Sequence, residues 1–459
     1  MTTDNGQRTT DGEHRPWGLA LLGAALLSLE FMLVYGACNL YTATRSDVGT
    51  WFFGWELAIP LLPWLILPYM SIDLLFFASP FLARDRAELK SLALRLGIAP
   101  LLAAVGFLAL PLRLGFERQR VEGPFGPVFA FLFSFDAVYN LFPSLHVAYT
   151  LVLRRMYARH TSGVVWWIVQ AWFVLITLST VFTHQHHLVD VAGGFVAGLL
   201  IFYAVPDTLP GPETALARSP RRPRLAAAYG ALAVLFALSA ATLGPRGGWW
   251  LLLSWPAVAL TIVASAYLGA GPAVFRKDHG RLHFSARILL APYLFGLALS
   301  RRHYWRQAEA CCAVGEDLIV GRLITNAADA RSLFDARGVV AVLDLTAEHS
   351  ERPEFRNLGE RYANIQVLDL TRPTLEQLDA AVAFISRWTA DGRVYVHCGL
   401  GYGRTAAVAA AYLLASGEAA TVDEACRLVS RARPQVVLDA EGIAMLETFR
   451  DRALAAAPA

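Results

Sequence analysis

Between residues 17 and 270 the chain passes through eight long stretches of apolar residues, and this pattern decides the fold of more than half of it. A helix needs about 20 such residues to cross a bilayer, where each backbone polar group must be satisfied within the segment. The stretches lie at roughly 17–37, 55–78, 92–112, 143–158, 164–182, 187–205, 225–243 and 249–270, and each is expected to span. The fourth is short and can begin upstream, near Phe129. Paired tryptophans (Trp51 and Trp55, Trp166 and Trp167, Trp249 and Trp250) mark interfaces between hydrocarbon and water. Residues 1–16 are polar, and no small-residue cleavage site follows the first run, which therefore reads as a retained span.

Basic residues set the orientation. Three alternate loops carry Arg84, Arg86 and Lys90; Arg154, Arg155 and Arg159; and Arg218, Arg221, Arg222 and Arg224. The opposite loops hold Arg45; Arg113, Arg118 and Arg120; none; and Arg246. The positive-inside rule then puts both termini in the cytoplasm, in a multi-pass protein of the plasma (inner) membrane. The Pro-rich segment 206–224 separates six spans from two more. Segment 284–300 is apolar but short, contains Arg287 and Pro292, and reads as a helix lying at the membrane surface.

Charged residues make up 17% of the chain, against about 25% in a typical soluble domain. Mean hydropathy is +0.43. The net charge of +3 gives no support to nucleic acid as a partner, and five cysteines suggest no disulfide framework. Cys311 and Cys312 read as linker residues.

From Asp317 the pattern alternates. Strand-like runs occupy 317–320, 339–344, 362–368 and 393–397; helix-like runs occupy 327–336, 374–388, 404–416, 421–431 and 440–452. The expectation is an α/β domain with a covered sheet. The whole chain then divides into a cytoplasmic N-terminus (1–16), a membrane domain (17–205), a linker (206–224), two further spans (225–270), a membrane-surface linker helix (271–311) and a soluble α/β domain (312–459).

The chemistry of that last domain is concentrated in Val396-His397-Cys398-Gly399-Leu400-Gly401-Tyr402-Gly403-Arg404-Thr405. A cysteine ends a strand, a glycine-rich loop follows, and an arginine opens a helix. Loop amides and a helix N-terminus direct partial positive charge at one point, which binds phosphate and favours the thiolate. Arg404 can clamp two phosphate oxygens in its fork. The candidate phosphate cradle is Gly399, Leu400, Gly401, Tyr402 and Gly403.

Two histidine motifs lie among the first six spans. One is Asn140-Leu141-Phe142-Pro143-Ser144-Leu145-His146; the other is Thr183-His184-Gln185-His186-His187-Leu188-Val189-Asp190. His146 opens the fourth span and His186 the sixth, so both lie at one membrane face, the outer one by the charge count. His186 and Asp190 stand four apart on a predicted helix and share a side. A carboxylate there can orient an imidazole nucleophile, and a second histidine can protonate a leaving oxygen. His184, His186 and His187 alternate in a way that does not converge on a metal. Glu30, Glu56 and Asp73 are acids in or near spans, a pattern that also fits a transporter.

Residues 60–205 resemble the type 2 phosphatidic acid phosphatase superfamily through Pro143-Ser144-Leu145-His146 and through Ser179-Thr180 followed by His186 and Asp190. The resemblance implies a phosphohistidine at His186, partnered by Asp190, with His146 as proton donor. That family's third motif has arginine where Thr180 stands, and its first motif is not clean here, so Arg113, Arg118 and Arg120 are the substitutes, Arg118 foremost. The motif forms are most similar to the inositol phosphorylceramide synthase and sphingomyelin synthase branch, which moves phosphoryl headgroups between lipids.

The last 145 or so residues resemble the dual-specificity branch of the protein tyrosine phosphatases, whose signature the Cys398 loop meets at each fixed position. That implies Cys398 as nucleophile, Arg404 as phosphate ligand and Thr405 as a stabiliser of the thiolate. It also implies a general acid on a loop about 30 residues upstream, a position that Asp369 occupies. Arg431-Ala432-Arg433-Pro434 matches a further familiar stretch, but Asp439-Ala440-Glu441 stands where a glutamine is often found.

The expectation is a bifunctional phosphatase. A lipid-phosphate phosphatase or phosphotransferase at the outer face would join a phosphomonoesterase in the cytoplasm, with membrane lipid phosphates as substrates and no cofactor or metal. The alternative is a membrane-anchored protein phosphatase acting on phosphoproteins, its membrane part an anchor or lipid sensor.

Overall fold

The computed structural model describes residues 16–206, 221–243 and 248–456. Residues 1–15, most of the 206–224 segment with Arg218, and Arg246 lie outside them. The chain forms two compact units, Met1–Asp207 and Thr208–Ala459.

The first unit is helical: α1 (Trp17–Ala43), α2 (Ile66–Ala78), α3 (Arg86–Ala109), α4 (Gly126–Phe135), α5 (Leu145–Arg159), α6 (Gly163–Phe182) and α7 (Leu188–Ala204). Tight turns flank α2, so the helical stretch runs Pro63–Leu82. The second expected span therefore starts eight residues late, because Pro60 and Pro63 favour entry into a helix over its interior. Asp85 caps α3 by accepting the Glu88 N–H at 2.7 Å. Leu96, Ala99, Ala103 and Phe107 of α3 pack with Ala148, Val152 and Leu153 of α5 and with Ile201 and Phe202 of α7. Outward faces carry Leu26, Met32 and Leu33 on α1 and Trp167 and Ile168 on α6, all exposed. Large apolar residues on the outward faces suit a lipid solvent.

Among the described residues, five helices are long and apolar enough to cross a membrane: Trp17–Ala43, Pro63–Leu82, Arg86–Ala109, Gly163–Phe182 and Arg221–Leu243. The expected spans 143–158, 187–205 and 249–270 fall on shorter helices, α5, α7 and Ser254–Ala270. The protein is a multi-pass membrane protein.

The second unit begins with α8 (Arg221–Leu243) and α9 (Ser254–Ser265), which continues as a wider turn to Ala270. A small hairpin follows, β1 (Lys277–Asp278) and β2 (Arg281–Leu282), then α10 (Phe284–Leu289) and α11 (Ala291–Tyr304). Segment 284–300 is thus broken at Leu290, where Pro292 enters the first turn of α11. Trp255 of α9 donates its indole N–H to the carbonyls of Ile288 and Leu289, which the break leaves open.

The α/β part contains β3 (Cys311–Val314), β4 (Leu318–Arg322), α12 (Ala327–Asp335), β5 (Val339–Thr346), α13 (Pro353–Arg356), β6 (Tyr362–Val367), α14 (Leu375–Trp388), β7 (Arg393–Cys398), α15 (Arg404–Ser416), α16 (Val422–Ala432) and α17 (Ala440–Ala456). The sheet order is β3-β4-β7-β5-β6, parallel except for β3. Alternate residues of the buried strands face opposite layers. Leu343, Leu345, Val394 and Val396 meet α14 to α17, while Val342, Ile319 and Tyr395 meet α12 and α13. This is the covered α/β sheet expected from the alternation. Strand β3 and the β1–β2 hairpin were not expected. Cys311-Cys312 had read as linker, and two-residue strands leave no periodic signal.

Candidate active sites

Strand β7 is central and ends at Cys398, paired with Arg322 of β4, while His397 pairs with Asp344 of β5. The following loop sits at the carboxyl ends of parallel strands, where α/β sheets place ligands. Gly401 adopts φ +74°, and a Cβ there would lie 2.4 Å from the Gly321 carbonyl oxygen. Only glycine allows both the left-handed turn and that approach. Arg433 binds the loop from behind, donating from Nε to the Gly401 carbonyl and from Nη2 to the Leu400 carbonyl, each at 3.0 Å. With carbonyls turned toward Arg433, the Gly401 N–H donates to Cys398 Sγ at 3.2 Å. Burial pushes the Cys398 thiol up, but the Arg404 charge, the Thr405 hydroxyl and the Thr405 and Gly401 amides outweigh it and hold the thiol below its ordinary value.

Arg404 opens α15 almost wholly buried. Its guanidinium makes a two-pronged pair with Glu348, Nη2 to Oε1 at 2.8 Å and Nη1 to Oε2 at 3.1 Å. Nη2 also meets Asp369 Oδ1 at 2.8 Å. Burial alone would raise the Glu348 carboxyl; Arg404 and His349 hold it at about 2. Glu348 was not anticipated, since it follows β5 without a motif, and it fixes the plane of the phosphate-binding fork. Asp369 keeps about a third of its side chain open, 34%, so it can reach a bound ester. Burial lifts its carboxyl above the ordinary value despite Arg404, and Glu348 adds to the lift. A raised carboxyl holds the proton that a general acid must give.

Elements outside the α/β sheet complete the rim. Tyr267 donates its hydroxyl to the Asp369 carbonyl at 3.0 Å, beside Leu370, which holds φ +58°. Trp305 donates to the Gly399 carbonyl at 3.4 Å, and Tyr402 donates its hydroxyl to the Tyr304 carbonyl at 3.4 Å. Asp439 pairs with Arg372 at 2.7 Å and with Arg221 at 2.6 Å, near the Gly403 end of the loop.

Beneath the loop, Asp344, Glu351 and His397 bring their ligand atoms within 4.8 Å of one another. Lys277 supplies the positive charge there. Its buried Nζ meets Asp344 Oδ2 at 2.6 Å, the Thr346 carbonyl at 2.7 Å and Thr346 Oγ1 at 3.0 Å. Burial would raise Asp344, but Lys277 and His397 hold it below its ordinary value.

In the first unit His186 lies in the turn before α7, one residue short of the N-cap, not on the helix as expected. Its Nδ1 is 3.6 Å from Asp190 Oδ2, too long for a hydrogen bond. Asp190 Oδ2 accepts the His187 N–H at 2.8 Å, as a cap of that helix. His186 shares one cavity with Tyr35, Tyr69, Arg118, Asp136 and Gln185. Arg118 pairs with Asp136 at 3.0 Å, and Asp136 also accepts from the Tyr35 hydroxyl at 3.0 Å. His146 stacks on the Tyr69 ring at 4.0 Å, its Nε2 2.9 Å from the Tyr69 carbonyl.

Arg118 and His186 therefore come together, and His146 reaches their cavity through Tyr69. Arg113 and Arg120 are exposed. Thr180 is buried, its hydroxyl on the Thr177 carbonyl and its own carbonyl accepting the Gln185 and His186 N–H groups. Asp136 and Tyr35 were missed because neither belongs to a motif. The neighbouring histidines serve the turn: His187 accepts the Gly115 N–H at 3.0 Å, and His184 Nε2 lies 3.0 Å from the Ile59 carbonyl.

Residues 324–452 match the family model for the dual specificity phosphatase catalytic domain, and residues 126–204 match the model for the PAP2 superfamily. The chain joins these two domains. It is a phosphoric monoester hydrolase. Among curated relatives, "Phosphatidylglycerophosphatase and protein-tyrosine phosphatase 1" of Homo sapiens is 28% identical over 135 residues, 28% of this chain and 67% of the relative. Its Rattus norvegicus counterpart is 26% identical over 144 residues, 30% of this chain and 74% of the relative. Similar solved structures include PTPMT1 in complex with PI(5)P, with 22% identity, 32% of this chain, 98% of that one and a TM-score of 0.30. Tk-PTP in its active form gives 27% identity, 31% of this chain, 97% of that one and a TM-score of 0.28.

Proposed function

We propose that the Cys398 site removes phosphate from lipid phosphomonoesters, and that the His186 site performs a second phosphoryl reaction on a lipid phosphate. The observation that carries the first part is the Cys398 thiol held low beside Arg404, with Asp369, its carboxyl raised by burial, on the same guanidinium.

In the first step Cys398 Sγ attacks phosphorus while Asp369 gives its proton to the leaving ester oxygen. A phosphorus–sulfur bond forms, a phosphorus–oxygen bond breaks, and the alcohol departs. Asp369, now a carboxylate, takes a proton from water, which attacks the phosphocysteine and returns the thiolate and inorganic phosphate. Loop amides and Arg404, fixed by Glu348, match the spreading charge on the phosphoryl oxygens. Lipid is favoured as substrate because the domain shares one chain with membrane spans, which concentrates it at headgroups. The name of the curated relatives points the same way and also includes protein-tyrosine phosphatase, so a phosphoprotein is the second reading.

At the His186 site the imidazole would take the phosphoryl group. Arg118 would meet its oxygens and His146 would supply a proton. Water or an acceptor alcohol would then release it. The loop charges favour the outer face for this site and the cytoplasm for both termini. The domain boundaries drawn from the sequence belong to the same proposal.

The test is a panel. Intact protein, Cys398→Ser and His186→Ala are assayed on phosphatidic acid, phosphatidylglycerophosphate, ceramide-directed headgroup donors and a phosphotyrosine peptide. Cys398→Ser should abolish one set of lipid activities and His186→Ala another. Lipid turnover that neither substitution lowers would overturn the proposal.

A further inference from the structure

We propose that Arg301 is a second anion-recognition residue of the Cys398 site, taking the phosphodiester of a glycerophospholipid whose terminal phosphomonoester lies on Arg404. The inference rests on the lipid reading above and deepens it. Arg301 belongs to the last turn of α11, outside the matched catalytic domain. That turn is seated on the phosphate loop: Trp305 donates to Gly399, Tyr402 donates to Tyr304, and the Arg301 guanidinium lies 5.6 Å from the centre of the Trp305 ring.

Arg301 points at the site. Its Nη1 is 2.7 Å from His349 Nδ1 and 2.6 Å from Nε2. His349 in turn flanks the loop. A Cβ placed on Gly399 would lie 3.5 Å from His349 Nε2 and 3.6 Å from Arg404 Nη2. Arg404 thus approaches the Gly399 end of the loop directly, and Arg301 is linked to it through His349.

Their pairing differs. Arg404 holds both oxygens of Glu348 and one of Asp369. Among the described residues Arg301 has no carboxylate at ion-pair distance, and its buried Nε has no partner. The imidazole it contacts is neutral, since burial and the nearby arginines hold His349 at about 3 despite Glu348. A half-buried guanidinium whose direct contact is a neutral ring, with Glu348 and Asp369 acting on it only from beyond ion-pair distance, is a cation that an incoming anion would complete.

The anion is carried by a lipid because of what precedes Arg301 on the same helix. Phe295 and Leu299 are 65% and 55% exposed on the same helix, before Arg301. Phe295, Leu299 and the exposed Arg302 share one face of α11, the pattern of a helix that lies among headgroups, while Arg301 turns from that face toward His349. A headgroup with a terminal monoester joins its glycerol backbone through a phosphodiester, and that group would follow the monoester out of the cleft toward α11.

The test uses the full chain in mixed micelles and counts only turnover lost in Cys398→Ser. Three substrates are compared: phosphatidylglycerophosphate, with monoester and diester; phosphatidic acid of the same acyl chains, with the monoester alone; and para-nitrophenyl phosphate. Arg301→Ala should lower kcat/KM for the first about tenfold relative to the other two, mainly through KM, as expected for one lost charge-assisted contact. Arg301→Lys should recover part of that ratio. An equal fall on all three substrates, or none on the first, would overturn the inference. If intact protein turns over para-nitrophenyl phosphate through Cys398 but neither lipid, the lipid reading itself fails, and this inference with it.

Discussion

Around Cys398, ten consecutive residues supply the nucleophile, the cradle and the phosphate ligand, and one strand–loop–helix turn brings them into register. Around His186, the cavity is lined from positions 35, 69, 118, 136, 185 and 186, which different helices and loops must bring together. A site written in one local segment keeps its geometry as long as that turn folds. A site gathered from distant positions depends on the packing of the whole helical unit. The two should therefore respond differently to substitution, pH and heat.

The largest contrast should come from the nucleophiles. Cys398→Ser should reduce hydrolysis of a soluble aryl phosphate by roughly 10⁴-fold or more, whereas His186→Ala should leave it unaltered. Steady-state kinetics of both variants check this, and a loss from His186→Ala would break the independence of the sites.

Next comes the acid. Asp369→Asn should cost about 100-fold on an alkyl phosphate and less on an aryl phosphate, whose leaving group needs less protonation. The pH profile sharpens this. The lowered Cys398 thiol makes kcat/KM rise on the acid side of the ordinary thiol range, and deprotonation of the raised Asp369 makes it fall. Asp369→Asn should remove the falling limb only.

A smaller effect concerns stability. Lys277→Met leaves Asp344 buried without its cation and should cost about 3–5 kcal/mol of unfolding free energy, read by thermal denaturation. Because Asp344 is held below its ordinary value in the fold, its contribution is complete above the carboxylate range. It fades as pH falls through the lowered folded value, so the gap between Lys277→Met and the parent should narrow in acid. The smallest effect should be at Arg387 and Glu360, an exposed pair at 2.6 Å. Arg387→Ala should shift stability by about 0.2–1 kcal/mol, and less at high salt.

The same contrast governs what could be read from the sequence. Period-two runs and glycine punctuation placed β4 to β7 and α14 to α17 within a few residues, because buried strands and amphipathic helices leave those patterns. Cys398, Arg404 and Asp369 were legible because short spacing and a strand end fix them. Glu348 was not, since a partner brought in from a different strand carries no local spacing. Tyr267, Arg301 and Trp305 were invisible as site residues for the same reason. In the first unit the histidine motifs were legible, but Asp136 and Tyr35 were not. The expected Thr180 position carries no basic group, and Arg118 reaches the cavity from a loop with no motif. His186 and Asp190 do lie side by side, 3.6 Å apart, but not on one helix as read, because the helix starts at Leu188, where the carboxylate turns to cap its end.

Lys277 sits on a two-residue strand between the last long apolar helix and the catalytic sheet, yet its ammonium lies wholly inside that sheet's domain. The catalytic core is thus closed by a residue that ribosomes deliver earlier and that the preceding helix already tethers. Such a domain matures in place, at its anchor. Excised at its first sheet strand and moved to another protein, it would carry a buried acid without its lysine under its own phosphate loop.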